Sequence, residues 1–176
     1  MDKTIIFHVE GGIGKNLMAT AVATAIKKAH PDRKLIVCAA WAAVWVNNPD
    51  VDRFYVLGAT PYFFEDFIKG KDTWIFKSEP YHHQDFLNGK RYLADIWCEQ
   101  LGVPYNGEMP QLVLSKNEKK NIERKLSGFG KPIFALQTNG GGPQDFPVSW
   151  VRDVPLSNLT QILNEINREY KIIHIR

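Results

Sequence analysis

The chain has 176 residues, 44% apolar and 23% charged, which is enough for one well-packed domain, or one domain and part of a second. A formal charge of +3 gives no case for nucleic acid, since a binding face needs clustered Lys and Arg rather than a small surplus. Lys119, Lys120, Arg124 and Lys125 do cluster, but Glu118 and Glu123 are interleaved, as on a solvated helix face. The apolar runs fall short of a membrane span, and no signal-peptide pattern precedes the first strand-like segment. Cys38 and Cys98 lie in apolar surroundings without metal-ligand spacing, the pattern of buried, reduced thiols. Together these features predict a cytoplasmic protein without a transmembrane segment.

Residues 4–9, TIIFHV, read as a buried strand, because a central parallel strand covered on both faces needs no polar alternation. In 16–30 a helical period puts Leu17, Ala21, Val22, Ala25, Ile26 and Ala29 on one face. Lys27, Lys28 and His30 suit its C-terminal dipole, and Pro31 follows. A second buried strand over 34–40, a short helix over 41–48 and a third strand over 52–58 complete an alternation typical of right-handed parallel crossovers. Further on, a Thr-Pro-led helix over 60–70 and a fourth strand over 72–79 are expected. A helix over 84–103 follows, with Gly89 able to break its start, and 106–116 reads as a linker with a short strand. A polar helix over 115–130 capped by Ser115 comes next, then a second α/β unit: an apolar strand running into glycines (131–142), a helix over 156–170 capped by Ser157, and a strand over 171–176. The fold class predicted is α/β, a Rossmann-like parallel sheet with flanking helices over 1–128, and a partial second α/β unit over 129–176.

The stretch FHVEGGIGKNLMAT (7–20) carries most of the functional signal. A P-loop, G-x-x-x-x-G-K-[ST], cradles phosphates with backbone N–H groups and binds magnesium through its hydroxyl. Gly14-Lys15 matches its end, but Val9 stands where the first Gly belongs and Asn16 where the hydroxyl does. The variant loop of ParA- and MinD-like ATPases, K-G-G-x-G-K-[ST], fits EGGIGKN better, with Glu10 in place of its first lysine. WIFKSE supplies no obvious Walker-B aspartate.

The wider succession resembles another family. Gly14, Leu17, Ile26, Lys27, His30-Pro31, Asn48-Pro49 and Val51-Asp52 match, in order and spacing, the N-terminal half of the ADP-heptose:lipopolysaccharide heptosyltransferases, glycosyltransferase family 9. KPIFALQTNGGG, followed by SWVRDV and the last helix and strand, looks like the opening of that family's second domain. The resemblance implies a GT-B-type fold and transfer of a sugar from a nucleotide-diphosphate-sugar to an acceptor hydroxyl, usually without metal or another cofactor. It implies an acceptor-side turn at Gly11, Gly12, Gly14, Lys15 and Asn16. It also implies a donor-phosphate loop at Thr138, Asn139, Gly140, Gly141 and Gly142 with Arg152, where Ser149 replaces the family's usual lysine. Lys15 stands where the family commonly has the aspartate proposed as base, which leaves Glu10 as the carboxylate at that strand end.

Three readings follow: a glycosyltransferase, whole or split; a non-catalytic relative that binds a sugar-phosphate or a partner; and a P-loop ATPase. The expected partners are a nucleotide-sugar and a hydroxyl acceptor, with a second chain completing the donor side or a homo-oligomer left open. His82 and His83 beside Glu79 and Asp85 lack the spacing of a metal site. Tyr62, Phe63, Phe64 and Tyr81 offer either core packing or a sugar-stacking surface.

Overall fold

In the computed structural model, which describes residues 3–58, 60–138 and 154–175, the first strand, β1 (Lys3–Val9), lies inside a four-stranded parallel sheet of order β3-β2-β1-β4. The neighbours are β2 (Lys34–Ala39), β3 (Arg53–Val56) and β4 (Asp72–Phe76). The crossovers are α1 (Ile13–Ala29) and α2 (Ala42–Trp45), with α3 (Phe63–Phe67) before β4. The α/β class and the parallel Rossmann-like sheet expected from the sequence are the ones that form.

The uninterrupted apolar runs of β1 and β2 are explained by the two faces they supply. Ile5, Phe7, Val9, Leu35, Val37 and Ala39 enter the larger core with Ala21, Val22, Ala25 and Ile26 of α1, Trp45 of α2 and Trp97 of a later helix. Phe7 meets both indoles edge-on, at 6.5 and 5.5 Å between ring centroids. The small residues of α1 let it lie close to the sheet, whereas Leu17 and Ala29, placed inward by helical spacing, are exposed. On the opposite face Ile6, Ile36 and Cys38 form a smaller cluster, covered by Tyr55, Phe63, Phe67 and Ile68. Arg33 locks the amino-terminal edge: it is buried, forks onto Asp72 at 3.0 Å and lies 3.6 Å over the Trp74 ring.

Several elements differ from expectation for local reasons. The Thr-Pro-led helix begins only at Phe63, because Tyr62 takes a left-handed conformation (φ 58°) ahead of it. The region 80–103 breaks into a 3-10 turn (Pro80–His82), α4 (Gln84–Leu87) and α5 (Leu93–Gln100), with Gly89 at φ 65° between the two helices. Within 106–115 no strand forms. That segment runs along α1 instead, where the Gln111 N–H donates to Thr20 Oγ1 at 2.9 Å and Glu108 pairs with Lys28 at 3.0 Å.

The chain divides into two compact units, 1–115 and 116–176. The second contains α6 (Lys116–Leu126), whose charged face is exposed, and β5 (Ile133–Gln137), α7 (Leu156–Ile166) and β6 (Lys171–Ile175). β5 and β6 pair in parallel as a sheet of their own, with α7 between them in sequence. Leu159, Leu163 and Ile166 of α7 are half-buried and Ile162 is exposed. Ser157 does not cap α7: Pro155 holds the cap position, and the Ser157 hydroxyl donates to Asn158 Oδ1 at 3.3 Å.

Candidate functional site

The turn between β1 and α1 carries more glycines than its geometry requires. Gly11 alone is in the left-handed region (φ 100°), where a Cβ would also stand 3.1 Å from Lys15 Cδ. Gly12 caps α1 with extended backbone and Gly14 lies in its first turn, and a Cβ on either would meet nothing within 4 Å. Among the described residues, packing therefore demands glycine in this turn at position 11, and the turn's outer surface at 12 and 14 is open.

The two residues that follow face inward. Asn16 is 0% exposed; its amide donates to the Gly11 and Gly12 carbonyls at 3.3 and 3.1 Å, and its oxygen accepts from Trp45 Nε1 at 3.0 Å. It holds the turn to the core. Lys15, 9% exposed, pairs with Glu79 and lies 5.4 Å from the Trp97 ring and 5.6 Å from Tyr81. Its stem passes Gly11 and its ammonium is taken up by Glu79.

β1 and β4 are paired up to Phe7 and Phe76, and beyond them the carboxyl end of β1, where His8 and Val9 stay paired with β2, lies beside Lys77 to Glu79, which follow β4. Between them is a pocket of about 350 Å³ lined by His8, Glu10, Lys15, Lys77, Ser78 and Glu79. The carboxyl ends of parallel strands are where such folds bind ligands. Two lysines meet two carboxylates here, Lys77 with Glu10 at 2.8 Å and Lys15 with Glu79, so the walls are charge-balanced. The buried Ser78 hydroxyl has no hydrogen-bond partner among the described residues.

The bond and charge of Lys77 hold the exposed Glu10 carboxyl below its usual range. Burial raises the Glu79 carboxyl, but the bonds from Lys15 and the Tyr81 N–H outweigh it, and it too is held low. Burial, then Lys77, lower the His8 imidazole against the opposing pull of Glu10. His8 also lines a second, apolar pocket of about 370 Å³ on the α3 side of the sheet, with Ile6, Cys38, Tyr55, Phe63 and Ile75 among its walls.

Of the residues singled out from sequence, Glu10, Lys15 and Glu79 come together in this pocket beside the glycine turn. Thr138 follows β5; its hydroxyl is 2.7 Å from His174 Nε2 and its carbonyl accepts from the Val154 N–H at 3.0 Å. Asn139, Gly140, Gly141, Gly142 and Arg152 lie outside the described residues. His83 accepts the Asp85 N–H at its Nδ1, opening α4. Phe63 packs on Tyr55 and Phe67, and Tyr81 on Phe86, while Tyr62 is 74% exposed.

Sequence reasoning missed His8, Lys77 and Ser78 as site residues. The signal was present, since a strand followed by polar residues recurs in FHVE and IFKSE, but only the parallel register sets the two tails together.

Among solved structures, the chain is similar to a glycosyl transferase family 9 protein from Veillonella parvula DSM 2008, with a TM-score of 0.73 and 16% identity, over 99% of this chain and 63% of that one. It is also similar to ADP-heptose LPS heptosyltransferase II of E. coli, with a TM-score of 0.62 and 13% identity, over 97% of this chain and 63% of that one. No family model and no curated protein matches the sequence. The chain thus spans less than two thirds of the length of either structure, and at these identities the likeness is one of fold. No described helix is long and apolar enough to cross a membrane. The architecture is that of a glycosyltransferase-like α/β protein, with a charge-balanced pocket at the carboxyl ends of β1 and β4.

Proposed function

We propose that the chain acts in glycosyl transfer, the pocket beside the glycine turn receiving a neutral, hydroxyl-rich acceptor. The reaction is attack of an acceptor hydroxyl on the anomeric carbon of a nucleotide-diphosphate-sugar, with no metal required. The observation that carries this reading is the pairing of charges in the pocket. A hydroxyl donates and accepts, so ammonium groups, carboxylates and the unpartnered Ser78 hydroxyl satisfy it together. A phosphate needs unspent positive charge, and both lysines here are already neutralised, which also weighs against the ATPase reading.

In this reading Gly12 and Gly14 leave the turn open to the acceptor, Lys15 and Glu10 form walls, and Asn16 acts by fixing the turn. The segment from Thr138 through Asn139, Gly140, Gly141 and Gly142, with Arg152, serves the donor diphosphate, supported by its sequence position after a parallel strand.

The test is a backbone NMR titration of the whole chain in EDTA. Methyl α-D-glucopyranoside is expected to move the His8, Lys77 and Ser78 amides, and a panel of ADP-, GDP-, UDP- and dTDP-hexoses is expected to contain a ligand. Pyrophosphate moving these amides while the glycoside leaves them still overturns the acceptor assignment. Magnesium-dependent ATP binding, lost in Lys15→Ala, overturns the reading as a whole.

A further inference from the structure

We infer that the proton acceptor of this site is His8, with Glu10 as its electrostatic partner. The inference rests on the transfer reading above and deepens it. The position that the family resemblance gives to a base holds Lys15, whose ammonium is bound to Glu79 and has no lone pair to offer. The two carboxylates of the pocket are each engaged by a lysine. The imidazole is the remaining wall group that can take a proton, and it is the side chain shared by the polar and the apolar pocket.

Its Nε2 lies 3.7 Å from Glu10 Oε1. That is too long for a direct hydrogen bond, so Nε2 is left to accept from a hydroxyl at about 2.8 Å, while Glu10 stays near enough to act on the ring by charge. An acceptor hydroxyl there donates to Nε2, the neutral ring carrying its own hydrogen on Nδ1. As the hydroxyl oxygen bonds to the anomeric carbon of the nucleotide-diphosphate-sugar, its proton passes to Nε2. The bond from that carbon to the diphosphate breaks, its electron pair leaving with the nucleoside diphosphate. The imidazolium formed is balanced by Glu10.

His8 is faced by Glu10 beyond the end of its own strand, by Lys77 after β4, by Cys38 of β2 in register with it, and by Tyr55 of β3. Burial, then Lys77, lower the imidazole below its ordinary value against the pull of Glu10, which favours the neutral ring that can accept a proton.

The experiment measures nucleoside diphosphate release by the whole chain from ADP-, GDP-, UDP- and dTDP-hexoses, with methyl α-D-glucopyranoside as acceptor, across pH. His8→Gln is expected to lower kcat about 100-fold or more with little change in KM for the glycoside, and to abolish the acid limb of the profile. Imidazole is expected to restore part of the rate to His8→Ala. Glu10 and Lys77 are exposed, so their variants keep the test open if His8 variants fail to fold. Lys77→Met should move the acid limb to higher pH and Glu10→Gln to lower pH, each matching the NMR titration of the His8 ring. An unchanged rate and limb in His8→Gln, or a limb abolished by Glu10→Gln, overturns the assignment while the transfer reading stands. No release from any donor by the native chain removes the transfer reading, and this assignment with it.

Discussion

Replacing Asn16 with alanine decides whether this residue serves the turn or a ligand. In the native chain it spends its whole amide internally, on the Gly11 and Gly12 carbonyls and on Trp45 Nε1. Trp45 is 2% exposed, so alanine strands a buried indole N–H, at a cost of about 1–3 kcal/mol. The two carbonyls lose less, about 0.5 kcal/mol each, because Gly11 still accepts from Trp41 Nε1 at 3.1 Å and Gly12 from the Asn16 N–H at 3.1 Å. The sum is roughly 2–4 kcal/mol, or a fall in Tm of about 5–15 °C for a chain of this size. Urea unfolding followed by tryptophan fluorescence reads it well, since Trp41, Trp45, Trp74 and Trp97 all lie in the 1–115 unit. A double-mutant cycle with Trp45→Phe should recover a coupling of about 1 kcal/mol. Asn16→Asp should cost at least as much as alanine, because it aims a carboxylate oxygen at two carbonyls. A loss under about 0.5 kcal/mol for alanine, together with loss of glycoside binding, would refute the structural role and return Asn16 to the ligand.

The remaining predictions probe the same frame. Gly11→Ala should destabilise by about 1 kcal/mol or more, from its left-handed backbone and the close Lys15 side chain, whereas Gly14→Ala should stabilise by about 0.5–1 kcal/mol; equal effects in thermal melts would contradict the turn geometry. Glu79 is held below its ordinary range in the folded chain, so its contribution is present above the unfolded-state carboxylate pKa and is lost as pH falls through the folded one. Acid unfolding should therefore be shallower in Lys15→Met, and an unchanged acid profile would show the pair to be inert. Arg33→Lys should cost about 1–3 kcal/mol in urea, since lysine supplies neither the fork onto Asp72 nor the stack on Trp74. Burial pushes the Cys38 and Cys98 thiols up to about 11 and about 12. Both should resist a thiol-disulfide reagent until the chain is unfolded, and rapid modification of the native chain would place them elsewhere.

The architecture was legible because its signals are local. Unbroken apolar runs at 4–9 and 34–40, small residues at helical spacing between them, and the repeat of that pattern require a parallel sheet with a helix packed close, and this is what forms. The misplacements are also physical. The Ser157 cap and the short strand within 106–116 rest on propensity, but a proline took the cap, and Thr20 offered Gln111 a partner that no strand supplied. The resemblance carried by scattered residues between Gly14 and Asp52 pointed to the same glycosyltransferase fold that the solved structures share.

The site was legible only in part. The sequence by itself determined that a glycine turn would end β1 and open α1, since the order of apolar run, glycines and helix is written along one stretch of chain. It could not determine where Lys15 and Asn16 point, because their partners, Glu79 and Trp45, lie 64 and 29 residues away. Nor could it gather His8, Glu10, Lys77 and Ser78 into one pocket. That depends on which strand lies beside β1, and the parallel pairing of β1 with β4, a long-range choice, was made by the tertiary structure alone.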